Sequence, residues 1–182
     1  MQTRTTPTRY GSLSIGLHWL MLLMIALVYA AMEFRDIFPK GSEGRSALKS
    51  WHYMLGLSVF ALVWIRLLVN LAATAPGITP EPPRWQTLAS KWVHAALYLL
   101  MIGMPLAGWL LLSAEGEPIP FFGLQLPALI AENKNLADII KEVHETGAVA
   151  GYVLIGLHAA AALFHHYVVR DDTLRHMLPG RG

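Results

Sequence analysis

The chain has 182 residues, 54% of them hydrophobic and 14% charged, with a formal net charge of +2 and a mean hydropathy of +0.43. A soluble domain carries roughly 25% charged residues, so this composition excludes intrinsic disorder, a nucleic-acid-binding module and an ordinary cytosolic enzyme. It describes a single integral-membrane domain, residues 1–182, in contact with membrane lipid. The chain has no cysteine, which removes disulfides, iron–sulfur clusters and thiolate-ligated or covalently attached haem. It has eight histidines, unusual beside so much leucine and alanine.

A membrane-spanning helix needs about 20 mostly apolar residues to cover roughly 30 Å of hydrocarbon. Four stretches meet that length: about Ser12–Met32, Trp51–Ala73, Trp92–Ser113 and Thr146–Val169. None alternates with period two, so the expected architecture is an all-α bundle of four transmembrane helices. The first stretch exceeds the apolar region of a signal peptide and lacks a small-residue cleavage site at Met32-Glu33-Phe34, so it is expected to remain as a helix.

The links read as loops. Phe34–Ser50 contains Pro39, Gly41, Ser42 and Gly44. Thr74–Pro83 holds Pro76, Pro80, Pro82 and Pro83, which cannot continue a helix and give a stiff, extended connector. Glu115–Glu145 begins with turns at Pro118, Pro120 and Gly123 and ends in a polar, interfacial stretch, Asn135–Glu142.

With four spans the two termini share a side. That side and the second link carry Arg4, Arg9, Arg66, Arg84, Lys91, Arg170, Arg175 and Arg181. The other side carries Arg35, Lys40, Arg45, Lys49, Lys134 and Lys141. Eight cations against six favour cytoplasmic termini by the positive-inside rule. The expected topology is thus multi-pass, with both termini on the cytoplasmic side.

His18, His52, His94, His144, His158, His165 and His166 fall in or at the edges of the spans, and His176 lies outside them. Ionisable groups inside a bilayer are costly and mark function, whereas a single histidine near a helix end often just sits at the headgroups. Seven are too many for that bland account. His144 and His158 are 14 residues apart, which at 100° per residue puts them within about 40° of one helix face and about 21 Å apart along it. Given the helix directions, His144 shares a level with His52 and His158 shares a level with His18. Two histidine pairs result, one above the other.

Paired neutral imidazoles facing across a bundle suit axial ligation of haem iron. Zinc or copper would recruit more ligands at one level. His94 is placed to be a third near His18 and His158, so residue type alone leaves that metal reading open. Glycines beside the histidines (Gly16, Gly56, Gly147 and Gly151) thin the helices where a flat macrocycle needs room. Gly147-x-x-x-Gly151 also fits plain close helix packing. A proton relay is disfavoured, because such relays use intramembrane carboxylates and the middles of the spans have none. Trp51, Trp85, Trp92 and Trp109 read as headgroup anchors, and Met21, Met24 and Met32 as packing. Arg66, well inside the second span, either meets a haem carboxylate or snorkels to the nearer face.

The segments SIGLHWL, AMEFRDIFP, WHYMLGLSVFALVWIRLL, HAALYLLMIGMPLAGW, FFGLQLP and VHETGAVAGYVLIGLHAAAALFHHY carry a resemblance to the bacterial four-helix di-haem cytochrome b561 family. It runs from about Tyr10 to Pro179 and is closest to the superoxide oxidase members. The resemblance implies two haems b, one on His18 and His158 at the cytoplasmic side and one on His52 and His144 at the periplasmic side. It implies an oxidoreductase that carries electrons from periplasmic superoxide to ubiquinone. The quinone would lie near His165, a candidate proton donor. Glu81 stands where that family has a lysine, so Arg84 or Lys91 is the expected substitute in quinone binding. The cations Arg35, Lys40, Arg45 and Lys49, which outnumber Asp36 and Glu43 in the first link, would steer anionic superoxide locally towards His52. The same fold type also implies an alternative: an anchor subunit that passes electrons from a partner dehydrogenase or hydrogenase to quinone. His94, His166 and His176 receive no role from the resemblance.

Overall fold

A computed structural model describes residues 9–179; Arg4 and Arg181 of the charge tally lie outside the described residues. Helix α1 runs Ser12–Phe34 and tightens into a 3-10 turn at Arg35–Ile37. Helix α2 is Glu43–Ala72, α3 is Arg84–Glu115 and α4 is Lys134–Phe164, which continues as a π turn through His165–Val169. A short antiparallel hairpin, β1 (Pro120–Phe121) and β2 (Leu124–Gln125), sits between α3 and α4. All four helices are long and apolar enough to cross a membrane.

The helices outrun the apolar stretches that announce them. Helix α2 begins at Glu43 because Ser42 caps it, accepting a hydrogen bond from the Arg45 amide. Asn133 does the same for α4 through the Leu136 amide. The polar segment before Glu145, expected as a separate interfacial piece, is the first turns of α4 itself. Helix α3 starts directly after Pro83 and stops at Gly116, whose φ of 70° places it in the left-handed region that glycine tolerates. The proline-rich connector between α2 and α3 is non-helical throughout, as expected.

Few side chains are buried, and large apolar residues such as Leu68, Leu71, Leu99 and Ile139 point outwards. In water such a surface would aggregate; against lipid tails it costs nothing. The dry interior is two small clusters. Met21, Val59 and Val63 pack at mid-bundle, and Leu57, Leu112 and Ile119 pack below the hairpin. Met21 therefore serves packing, as expected. The Trp109 indole N–H donates to the Pro127 carbonyl at 3.0 Å and pins the segment after the hairpin. Trp51, Trp85 and Trp92 are exposed.

Backbones approach closely between α1 and α2, α2 and α3, and α3 and α4, whereas α4 makes no extensive backbone approach to α1 or α2. The glycines divide accordingly. A Cβ at Gly147 would meet the Met104 sulfur, and one at Gly151 would meet the Tyr29 hydroxyl and Leu100, so these two serve close packing. Gly16 and Gly56 face open space. The Tyr29 hydroxyl also donates to the Ala148 carbonyl at 2.9 Å, tying α1 to α4. Gly151→Ala should displace that hydroxyl and cost about 1–3 kcal/mol, read as a lower thermal midpoint in detergent; an unchanged midpoint would contradict this packing account.

Candidate cofactor site

Helices α2 and α4 bring His52 and His144 together, with ring centroids 6.1 Å apart and planes crossing at 78°. Helices α1 and α4 do the same for His18 and His158, at 6.2 Å and 63°. Both pairs share α4, which holds one histidine at each end of its span. A histidine nitrogen binds a metal at about 2 Å, so two imidazoles on opposite sides of one metal place their ring centroids about 6 Å apart. Both pairs have that spacing.

The His52–His144 pair opens into a cavity of about 560 Å³ lined by residues of all four helices, among them Tyr29, Gly56, Gly108 and Tyr152. The His52 Nδ1 lies 3.0 Å from the Val28 carbonyl oxygen. That oxygen can only accept, so Nδ1 carries the proton and Nε2 keeps its lone pair for a ligand. His144 packs against Gly108, where an added Cβ would come within 3.3 Å of the ring. The His144 Nδ1 is buried and makes no well-aligned hydrogen bond, and the Met104 backbone is the acceptor that interacts with this ring.

At the other end the His94 ring joins from α3, 5.2 Å from His158 and nearly perpendicular to it. Its Nδ1 lies 2.7 Å from the Ser90 carbonyl oxygen, which fixes the ring to its own helix. Among the described residues no three or more of His, Cys, Asp and Glu are grouped to hold a metal ion. The third-ligand arrangement that kept zinc or copper open is therefore not formed; the two-histidine geometry recurs at both ends, and macrocycle-sized room lies beside His52 and His144. Arg66 does not snorkel. Its guanidinium turns inwards, 3.1 Å from the His18 Nδ1.

His165 begins the π turn, and its Nδ1 lies 2.5 Å from the Asp171 carboxylate, which is fully buried. Burial pushes the Asp171 carboxyl up, but hydrogen bonds from His165 and Thr173 outweigh it and hold the group below its ordinary value. The stability it lends to this end of the bundle is present above the ordinary carboxylate range and is lost as pH falls through the lowered value. Thr79 and His176 both contact Asp172, the Trp19 indole donates to the Met177 carbonyl, and Arg9 donates to the Leu178 carbonyl. The segment after α4 thereby closes the end of the bundle where the termini lie. His176 is buried in that closure. The His166 Nδ1 is buried without a hydrogen-bond partner, and its ring contacts Tyr167. Arg84 and Lys91 are exposed on the first turns of α3, and no hydrogen bond or ion pair joins either to His165 among the described residues.

Of the four cations of the first link, Arg35 and Lys49 line the His52–His144 cavity. Arg45 is engaged elsewhere, in a 2.7 Å ion pair with Asp36 and in hydrogen bonds to the Arg35 and Phe38 carbonyls. Lys40 is exposed and away from the cavity. Lys141 also lines it. The sequence signal for Lys141 was its position three residues before His144, which puts both on one helix face. Nothing in the sequence singled out Gly108, Tyr152 or the contact between Arg66 and His18.

A family model described as prokaryotic cytochrome b561 matches residues 9–180. The chain belongs to the prokaryotic cytochrome b561 family. It is 40% identical over 173 residues to cytochrome b561 homolog 1 of Escherichia coli (strain K12), an alignment covering 95% of this chain and 98% of that one. It is 36% identical over 171 residues to the probable superoxide oxidase CybB of Yersinia pestis, covering 94% and 96%. It is 31% identical to cytochrome b561 homolog 2 of Escherichia coli (strain K12), covering 98% and 95%. Family membership implies a membrane electron carrier that binds haem b, and the paired histidines, the cavity and the open glycine faces fit that group.

Gly56 gives a direct check on the fit. Its missing side chain faces open space within the cavity lining, so Gly56→Phe should lower haem content while far-UV circular dichroism remains that of a helical bundle. Full haem content in that variant would show that the space is not used.

Proposed function

We propose that this cytochrome carries electrons from superoxide on one side of the membrane to ubiquinone on the other, with both chain termini in the cytoplasm. The observation that carries the reading is the pair of imidazole pairs, with ring centroids 6.2 and 6.1 Å apart, stacked along α4. His52 with His144, and His18 with His158, would each hold one haem b; when bound, these groups supply one-electron transfer across the bilayer. The identity to a probable superoxide oxidase supports the choice of donor.

The chain's own residues do the rest. Superoxide would be held at the cavity rim by the chain's own cations, with both histidines of the pair committed to holding the haem. Arg35, Lys49 and Lys141 at the cavity raise the local concentration of that anion. Glu33, Asp36 and Glu145 line the same cavity, so the attraction is short-ranged. Two superoxide ions lose one electron each and leave as O₂, and ubiquinone takes both electrons and two protons to become the quinol. His165, oriented by Asp171 through Nδ1, would hand a proton from Nε2 at the terminal face, with Arg84 or Lys91 on the adjoining helix for the quinone.

A second reading, the anchor subunit of a dehydrogenase or hydrogenase, is favoured by one feature. The segment between α3 and α4 presents Phe122, Leu124 and Leu129 to the outside beyond the helix ends, a surface that a docked partner would cover.

Purified protein separates the readings. Two haems b per chain and quinol formation from superoxide are expected, with a rate that falls as salt is raised. Two haems without quinol formation would favour the anchor, and a flat salt dependence would remove the steering role of the lysines and arginine. His52→Ala or His144→Ala should each cost one haem and leave the other in the reduced-minus-oxidised spectrum; retention of both would refute that ligand pair.

A further inference from the structure

Arg66 lies within the apolar length of α2, and a guanidinium stays charged there. Its Nη1 is 3.4 Å from the Ser14 carbonyl and its Nη2 is 3.1 Å from the His18 Nδ1. The floor beneath it is already committed. The buried Ser14 hydroxyl donates to the Asn70 side-chain oxygen at 2.8 Å, and the Asn70 amide donates to the Tyr98 hydroxyl at 2.6 Å. Among the described residues the ion pairs belong to Arg35, Arg45, His165 and His176, and no carboxylate lies within ion-pairing distance of Arg66. A cation inside the span thus meets only neutral acceptors.

The polarity of the His18 contact is the second observation. A guanidinium can only donate, so the His18 Nδ1 must accept, and the neutral ring then carries its proton on Nε2. That is the opposite tautomer from His52, whose Nδ1 faces a carbonyl. A ring that ligates through Nε2 needs a proton on Nδ1, and an N–H on Nδ1 cannot face another donor. When His18 takes up its ligand position, Arg66 must let go of it and find an acceptor with negative charge. The group that arrives at that moment carries two carboxylates of its own.

We infer that Arg66 binds a propionate carboxylate of the haem held between His18 and His158, exchanging the His18 nitrogen for it on loading. This rests on the reading of His18 and His158 as a haem pair. Arg66 is then the counter-charge that holds this haem in register, and the same positive charge favours its reduced form.

The test compares the holoprotein with R66Q and R66K, each also reconstituted with haem dimethyl ester, which lacks the carboxylate charge. With ordinary haem, R66Q should release the haem of this pair to an apomyoglobin scavenger at least tenfold faster than wild type. Its one-electron equilibrium should move towards the oxidised form, while the His52–His144 haem is unchanged. R66K should restore most of both properties. With the diester, wild type and R66Q should behave alike, which separates a propionate from a lipid phosphate as the anion.

Equal behaviour of wild type and R66Q with ordinary haem would overturn the inference, as would an R66Q effect that persists with the diester. If R66Q fails to hold this haem at all, recovery in R66K supports the inference. Loss in both variants, with wild type holding the diester as tightly as haem b, refutes it. Wild type with only one haem would instead end the two-haem reading itself.

Discussion

An imidazole has two ring nitrogens, and inside an apolar bundle neither can be left to water. Each histidine in the spans therefore needs a use for both, and the four helices provide a backbone acceptor for some of them. The Val28 carbonyl accepts a hydrogen bond from the His52 Nδ1–H and the Ser90 carbonyl accepts one from the His94 Nδ1–H, so backbone groups choose the tautomer in each case. His144 and His158 sit where α4 looks across at α2 and α1 rather than into close backbone contact. The helix that supplies half of each pair is thereby the one held at a distance from its partners.

That distance is set by small residues and a few hydrogen bonds. Gly147 and Gly151 let Met104, Tyr29 and Leu100 settle against α4, and the Tyr29 hydroxyl fixes the separation through the Ala148 carbonyl. Beyond these points the side chains recede, leaving the cavity beside His52 and His144. The two ends of the bundle then differ in kind. One opens to a rim of mixed charge under the hairpin. The other is closed by the segment after α4, through contacts of Trp19, Asp171 and Asp172. All four paired histidines are half-buried, so the two ends differ in what surrounds the pairs rather than in how deeply the rings lie.

Much of this was legible in the sequence because hydrocarbon imposes harsh rules. A span must be apolar for about 20 residues, so the four helices announce themselves. The interval between His144 and His158 fixes their common face by helical periodicity alone. The ends of the helices were less legible. Outside the hydrocarbon the apolar signal stops, yet a capped helix continues, as Ser42 and Asn133 show for α2 and α4. The hairpin at Pro120–Gln125 was hidden for another reason: two-residue strands leave no alternation to read.

The composition and spacing alone determined that this is a four-helix membrane protein with histidines disposed in two tiers, since both follow from local periodicity and the thickness of a bilayer. Only the tertiary structure decided what each polar group meets. Arg35 and Arg45 both turned to Asp36, and of the two only Arg35, with Lys49, lined the cavity. Trp109 bound the Pro127 carbonyl. Gly16 and Gly56 faced space while Gly147 and Gly151 were filled. Arg66 reached inwards to His18. These outcomes depend on the rotation of one helix against another, which pairwise packing sets and no local stretch of sequence contains.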